Sequence, residues 1–198
     1  YYKPRLSFDE FLGISDNVIK ISACLASPLN YYRQAYQKLT NAQRELYWSL
    51  VEKYDYFEVQ PHDFKEQFEF NQFLYELSWR NNTPLIAGTD THSITPYKAE
   101  CRTMIQWSKG IDFANEDTFD LTYKSYDELC KMFEKQGALS YVNYMTAIRN
   151  TNIMADSVED FELDTSFKYP ILYGEEDENV LLERLRSKYK EKVANGII

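Results

Sequence analysis

Apolar and polar positions along the first half of the chain predict short strands separated by helices. Three short apolar runs are bounded by polar or proline residues, as expected of buried strands. These runs are residues 18–22, 56–60 and 84–88. Helix-compatible stretches follow them at about residues 28–53, 65–80 and 97–107. Because parallel strands require helical crossovers, this order predicts an α/β fold with a parallel sheet or barrel.

The clearest single element is an amphipathic helix over residues 65–80. Apolar residues occupy positions i, i+3, i+4 and i+7 of this stretch, which form one face of an α-helix. These residues are Phe70, Phe73, Leu74 and Leu77. Asn81 and Asn82 are expected to end the helix, and Thr40 is expected to cap a separate helix earlier in the chain.

The pattern changes after Gly110, where an acidic stretch begins and no further apolar strand is apparent. Ser125 and Glu128 have the spacing of a capping box, which starts a helix. A last helix is expected from Asp177 to Asn195, since its first turn is acidic and its later half is basic. The predicted organisation is therefore residues 1–110, an acidic connector at 111–124, and a helical segment at 125–198.

Composition narrows the function classes. The 198 residues carry a formal charge of −9, which argues against a surface that binds nucleic acid by itself. No run is long enough to cross a bilayer and the first residues lack a signal-peptide pattern, so we expect a cytoplasmic protein without a membrane partner. The chain opens with Tyr1 rather than Met, which predicts that it is part of something longer. Its three widely spaced cysteines indicate reduced thiols rather than a disulfide framework.

Candidate chemistry lies just past the predicted strands, where parallel α/β folds place their ligands. Cys24 follows the first strand, His62 the second, and Asp90 and His92 the third. Thiolate, imidazole and carboxylate groups bind divalent transition metals, so these residues predict a metal-binding rim. Structural alternatives stay open for each: a buried cysteine, a loop histidine, and an aspartate that bonds to a helix start.

Several other site classes lack their motifs. The sequence contains no Gly-rich phosphate loop, no GxSxG elbow and no D-x-D pair of the kind that holds two metal ions. The chain alone is therefore expected to carry no catalytic residue for nucleotidyl transfer.

With these residues in view, the chain resembles the PHP domain of the alpha subunit of bacterial DNA polymerase III, together with the segment that follows it. The blocks that match in order are Lys3-Pro4-Arg5, Ile19-Lys20-Ile21-Ser22-Ala23-Cys24-Leu25, Phe57-Glu58-Val59-Gln60-Pro61-His62, Gly88-Thr89-Asp90-Thr91-His92, Ser125-Tyr126-Asp127-Glu128-Leu129 with Phe133, Asn150-Thr151-Asn152-Ile153-Met154-Ala155 and Tyr169-Pro170. Their succession, rather than any single block, carries the resemblance.

The resemblance implies the C-terminal part of a seven-stranded, TIM-like PHP barrel with an appended helical segment. On the matching positions it implies that Cys24, Asp90 and His92 are metal ligands and that His62 lies outside direct coordination. The family's other ligands, an HxH pair with further Asp, His and Glu positions, would precede Tyr1. Three positions depart from the family pattern, namely Ala23 for Gly, Thr89 for Asn and Ser93 for an aromatic residue.

The function that the resemblance implies is that of a replicative DNA-directed DNA polymerase, in which this region is a metal-dependent 3′–5′ exonuclease or a structural platform. The implied metals are Zn²⁺ or Mn²⁺ in the PHP site, and Mg²⁺ for polymerisation outside this chain. DNA, deoxynucleoside triphosphates and other replisome subunits would be partners through the rest of the parent protein. A stand-alone PHP phosphoesterase of the histidinol-phosphatase kind and a non-catalytic interaction module remain the alternatives.

Overall fold

The computed structural model describes residues 5–111, 120–167 and 170–198. The fold is mixed α/β and mostly helical. The helices are α1 (Phe8–Leu12), α2 (Pro28–Ala35), α3 (Asn41–Lys53), α4 (Lys65–Asn81), α5 (Pro96–Ser108), α6 (Tyr126–Gln136), α7 (Tyr141–Asp156) and α8 (Asp177–Ala194), with short 3₁₀ helices at Tyr36–Lys38 and Gly174–Glu176. The strands are β1 (Phe57–Val59) and β2 (Leu85–Ala87). No helix among the described residues combines the length and apolar character that a bilayer span needs.

The two strands form a parallel pair that is joined through α4. Phe57 lies opposite Leu85, and Val59 lies opposite Ala87. The predicted α/β character and the parallel pairing are therefore confirmed. The described residues form two short strands, however, and do not display the seven-stranded barrel that the resemblance implies.

The first predicted strand is much shorter than residues 18–22. Only Ile21 makes a parallel bridge, to Tyr56 beside β1. Val18 is 50% exposed, so the start of the run is not buried. Ala23 has a φ of 58°, and this left-handed turn ends the extended segment directly after Ser22.

The hydrophobic core is formed by the two strands together with residues of α2, α3, α4, α6 and α7. Phe70, Leu74 and Leu77 of α4 are buried, which confirms the predicted helical face. Phe133 of α6 is 1% exposed, and its ring stacks on Tyr144 of α7 with a centroid distance of 5.6 Å. Both elements that follow the acidic stretch thus contribute to the same core as α4.

Helix α7 also completes the exposed edge of β2. Thr151 Oγ1 accepts a hydrogen bond from the Ala87 backbone N–H at 3.0 Å, and Asn150 Nδ2 donates to the Leu85 carbonyl at 2.8 Å. An unpaired strand edge would otherwise offer its polar groups to other chains.

The chain divides into compact units at Tyr1–Val158 and Glu159–Ile198. Residues 112–119, most of the predicted connector, lie outside the described residues, so the boundary there stays a prediction.

Helix starts follow the sequence signals closely. Thr40 and Gln43 form a reciprocal capping box at the start of α3, and Ser125 and Glu128 form another at α6. Asn82 ends α4 in the left-handed conformation, with a φ of 54°. These local hydrogen bonds satisfy backbone groups that the helix ends leave without partners.

The second unit consists of α8 and the segment before it. The carboxylate of Asp177 accepts hydrogen bonds from the backbone N–H groups of Leu172 and Tyr173, the shortest at 2.7 Å. Arg184 donates to the Tyr173 hydroxyl at 2.7 Å. None of the residues of α8 is buried.

Candidate metal site at the strand exits

Three of the four predicted site residues line one cleft. Cys24, His62 and Asp90 lie around a cavity of about 800 Å³ that opens beyond the ends of β1 and β2. His92 lines a different cavity, although its Nε2 is 3.3 Å from Asp90 Oδ1. The structure thus brings Cys24, His62 and Asp90 to one cleft, and the role of the predicted residues as metal ligands stays a prediction.

The backbone is strained at two of these exits. Ala23 and Asp90 have φ values of 58° and 49°, in the left-handed region that favours glycine. Aspartate tolerates this conformation better than most residues do, because its short polar side chain can form local hydrogen bonds. Alanine has no such side-chain group. Strained residues of this kind cluster at binding and catalytic sites, which is consistent with a functional rim.

Sequence reasoning missed Glu58, a partly buried carboxylate at the centre of β1. Gln60 Nε2 donates to Glu58 Oε1 at 2.7 Å, and the Ser22 hydroxyl accepts the Glu58 backbone N–H at 2.9 Å. Burial raises the pKa of Glu58, and the nearby charge of Asp90 raises it further. The signal that could have found it is a charged residue between Phe57 and Val59 in a strand that is otherwise apolar.

A buried amide network fixes the segment that leads from β1 to His62. Asn71 Nδ2 donates to the Gln60 carbonyl and to Gln136 Oε1, both at 2.7 Å. Gln136 Nε2 in turn donates to the His62 carbonyl at 2.6 Å and to the Gln60 carbonyl at 2.9 Å. Because Gln60, His62, Asn71 and Gln136 are all buried, these bonds are shielded from water and hold the backbone of His62 in place.

Residues 120–124 pair with the segment after Asp90, and Leu121 among them lines the cleft. The His92 backbone N–H donates to the Leu121 carbonyl at 2.8 Å, and Ser93 and Thr122 form a parallel bridge. Lys124 Nζ lies 2.9 Å from Asp120 Oδ2. Hydrogen bonds from Lys124 and Thr122 lower the pKa of Asp120 to about 2.

His62 is 6% exposed, and its ring stacks on Phe64. Burial is the main cause that lowers the pKa of this imidazole. The charges of Asp90 and Asp120 oppose that shift, whereas the charge of Lys124 adds to it. The pKa of His62 therefore depends on burial and on charges from both Asp90 and the segment at 120–124, and its place behind a metal site stays a prediction.

Comparison with known proteins agrees with the motifs. The chain is 27% identical over 209 residues to the DNA polymerase III subunit alpha of Borreliella burgdorferi, which covers 96% of this chain. It is 26% identical over 208 residues to the PolC-type DNA polymerase III of Clostridium perfringens, and 25% identical over 217 residues to the alpha subunit of Aquifex aeolicus. These matches cover 96% and 99% of this chain. No protein-family model matches the chain.

The chain is similar to a segment of bacterial DNA polymerase III alpha subunits. The resemblance to the alpha subunit that the sequence blocks indicated is thereby confirmed, whereas the assignment to its PHP domain stays a prediction. The chain spans only 17%, 14% and 18% of the length of these three relatives, so it corresponds to a small part of each.

The donors at the strand exits suit a transition metal by type but do not complete a site. Cys24 is a free, half-buried thiol, and Asp90 and His92 contact each other. Among residues 5–111, 120–167 and 170–198, no three His, Cys, Asp or Glu side chains converge closely enough to hold an ion. Structural zinc sites in proteins usually have four ligands, so this arrangement falls short of one.

Proposed function

We propose that this chain is part of a replicative DNA-directed DNA polymerase and corresponds to the C-terminal part of its PHP domain with the helical segment that follows. The observation that carries the proposal is similarity over 96% or more of the chain to three proteins named as DNA polymerase III. The parallel β–α–β unit with candidate donors at its strand exits supports it. DNA, deoxynucleoside triphosphates and other replisome subunits would bind through the rest of the parent protein in the cytoplasm, and its Mg²⁺ would lie outside this chain.

Within that protein, Cys24, Asp90 and His92 would supply one part of a Zn²⁺ or Mn²⁺ site, with His62 behind them. The shared cleft and the contact between Asp90 and His92 support this assignment. The remaining ligands would come from the HxH pair and the other positions that the resemblance places before Tyr1. The corresponding activity is a metal-dependent 3′–5′ exonuclease, to which this chain contributes an incomplete donor set.

Isothermal titration of the 198-residue chain with Zn²⁺ or Mn²⁺ tests the ligand assignment. We expect weak binding of one ion that is lost in Asp90→Ala and in His92→Ala. Asp156→Ala, at the end of α7, is the matched control and should bind as the wild type does. Identical binding by all four proteins would reject the assignment.

The chain alone should neither extend a primer nor degrade a labelled oligonucleotide, because its described residues form no complete metal site and its sequence has no D-x-D pair. Metal-dependent turnover by the purified chain would contradict this expectation. It would favour the stand-alone phosphoesterase that the sequence left as an alternative.

A structural platform is the second candidate. It is favoured by the pairing of Asp90 with His92 and by the lack of three convergent donors among the described residues. Under this candidate, Zn²⁺ should not raise the melting temperature of the wild type beyond that of Asp90→Ala. A metal-dependent rise in the wild type alone would favour the exonuclease site instead, because a ligand that binds the folded state stabilises it.

A further inference from the structure

The cleft at the strand exits extends well beyond the candidate ligands. One wall is α2 with the turn before it, and the other is the segment between β1 and α4. Its volume of about 800 Å³ is in the range of small-molecule sites. Cys24 and Asp90 are the candidate ligands that line this space, and most of its other lining residues cannot bind a metal ion through a thiolate, imidazole or carboxylate group.

Aromatic rings lie on both walls of the cleft. Tyr31 of α2 is 68% exposed, and its ring packs edge-on against Tyr32 with a centroid distance of 5.6 Å. Phe64 stacks on His62, with 6.3 Å between ring centroids and 20° between the ring planes. Aromatic faces held in this way are suited to stacking on a flat ligand.

A buried amide acceptor on α4 lines the same space. Gln67 is 1% exposed, and its Nε2 donates to Asn71 Oδ1 at 2.9 Å, which fixes the amide orientation. Within the described part of the chain, Gln67 Oε1 has no hydrogen-bond partner. A buried acceptor that lacks a partner costs free energy, so a ligand or water that brings an N–H or O–H group would be favoured here.

The charges that line the cleft disfavour the binding of anions. Among the described residues that line it, none is Lys or Arg, while Asp90 and Glu66 add carboxylates. A phosphate group that entered this space would meet negative charge without a compensating cation. A divalent metal at the rim would reverse that sign.

We propose that this cleft is a nucleoside subsite that binds the base and sugar at the end of a nucleic-acid strand. The base would stack on Tyr31 and Phe64 and offer its amino or imino N–H to Gln67. A phosphate attached to that nucleoside is accepted only when a divalent metal is bound at the rim. The inference rests on the proposed function for its choice of ligand, although nucleoside binding itself needs no metal.

The test compares deoxyadenosine with its 5′-monophosphate by ligand-observed NMR titration of the 198-residue chain in the presence of EDTA. Deoxyadenosine should bind more tightly than the monophosphate. Tyr31→Ala should weaken deoxyadenosine binding about fivefold or more, because stacking on one aromatic ring is worth at least that much. Tyr31→Phe should retain the wild-type affinity.

Tyr141→Ala is the matched control, since Tyr141 is also 68% exposed but lies on α7 and outside the cleft. It should leave the affinity for deoxyadenosine unchanged. Equal losses in Tyr31→Ala and Tyr141→Ala, or tighter binding of the monophosphate in EDTA, would overturn the nucleoside subsite.

Replacing EDTA with Mn²⁺ separates this inference from the proposed metal site. The affinity for the monophosphate should rise with Mn²⁺ while that for deoxyadenosine stays constant. If deoxyadenosine binding keeps its dependence on Tyr31 but Mn²⁺ has no effect on the monophosphate, the subsite stands and the metal site is wrong.

Discussion

The carboxyl group of Glu58 fills the space above Gly88 that the β-carbon of any other residue would occupy. An ideal β-carbon at position 88 would lie 2.6 Å from Glu58 Cδ and 2.9 Å from its Cγ. Glycine directly after β2 thus allows a carboxylate from β1 to lie across the sheet, beside the loop that carries Asp90. This relationship links the strand register to the candidate site.

Gly88→Ala should therefore destabilise the chain by about 1–3 kcal/mol, the usual cost of overpacking a well-packed site. In a Glu58→Ala background the same substitution should cost less than about 0.5 kcal/mol, because the obstructing group is gone. Urea denaturation of the wild type, both single variants and the double variant measures this coupling. Additive effects would show that Glu58 is not what requires glycine at position 88.

The amide network predicts that Asn71 is among the most sensitive polar positions of the fold. Asn71→Ala leaves the Gln60 carbonyl and Gln136 with fewer partners in a buried environment, so we expect a loss of about 2–4 kcal/mol, as two or more buried partners are affected. Asn152→Ala, at an exposed position of α7, should change the free energy of unfolding by less than about 0.5 kcal/mol. Equal losses in the two variants would contradict the role of the network.

The imidazole of His62 should titrate below its ordinary pKa of 6.5, because burial disfavours its charged form. NMR titration in chelator should show that Asp90→Asn lowers this pKa further and that Lys124→Met raises it, since each variant removes a charge of opposite sign. Shifts in the same direction for both variants would contradict the geometry.

The lowered pKa of His62 also predicts how the free energy of unfolding changes with pH. The unfolded chain takes up the proton of His62 first as the pH falls, so the free energy of unfolding should decrease from pH 6.5 towards the folded pKa. The decrease should be smaller in His62→Gln, which cannot titrate. An equal decrease in the variant would assign the effect to other groups.

Truncation tests how far the segment after the acidic stretch belongs to the core. A 1–158 fragment should unfold cooperatively, because it keeps Phe133 and the side chains of Thr151 and Asn150 that complete β2. A 1–110 fragment exposes that strand edge and should aggregate. A monomeric, cooperatively folded 1–110 fragment would contradict the role of α6 and α7.

Helices were predictable from this sequence because their determinants are local. The spacing of Phe70, Leu74 and Leu77 sets the buried face of α4, and the pair of Ser125 and Glu128 sets the start of α6. Both depend on residues within a few positions of each other.

The sheet and part of the site were less predictable because they depend on distant segments. The run at 18–22 is apolar enough for a strand, yet only Ile21 finds a partner, and Ala23 then turns the chain away. Cys24, His62, Asp90 and His92 could be placed by the rule that ligands gather at strand exits. Glu58 and Lys124 could not be placed in this way. Glu58 matters because it lies against Gly88, and Lys124 matters because it pairs with Asp120 in the segment at 120–124.

Titration with Co²⁺ tests whether the strand exits supply part of a metal site. Co²⁺ bound to a thiolate gives a charge-transfer band in the near ultraviolet, so a band in the wild type reports coordination by a cysteine. We expect this band in the wild type, in Cys101→Ser and in Cys130→Ser, and its loss in Cys24→Ser. No band in the wild type, or a band that persists in Cys24→Ser, would contradict it.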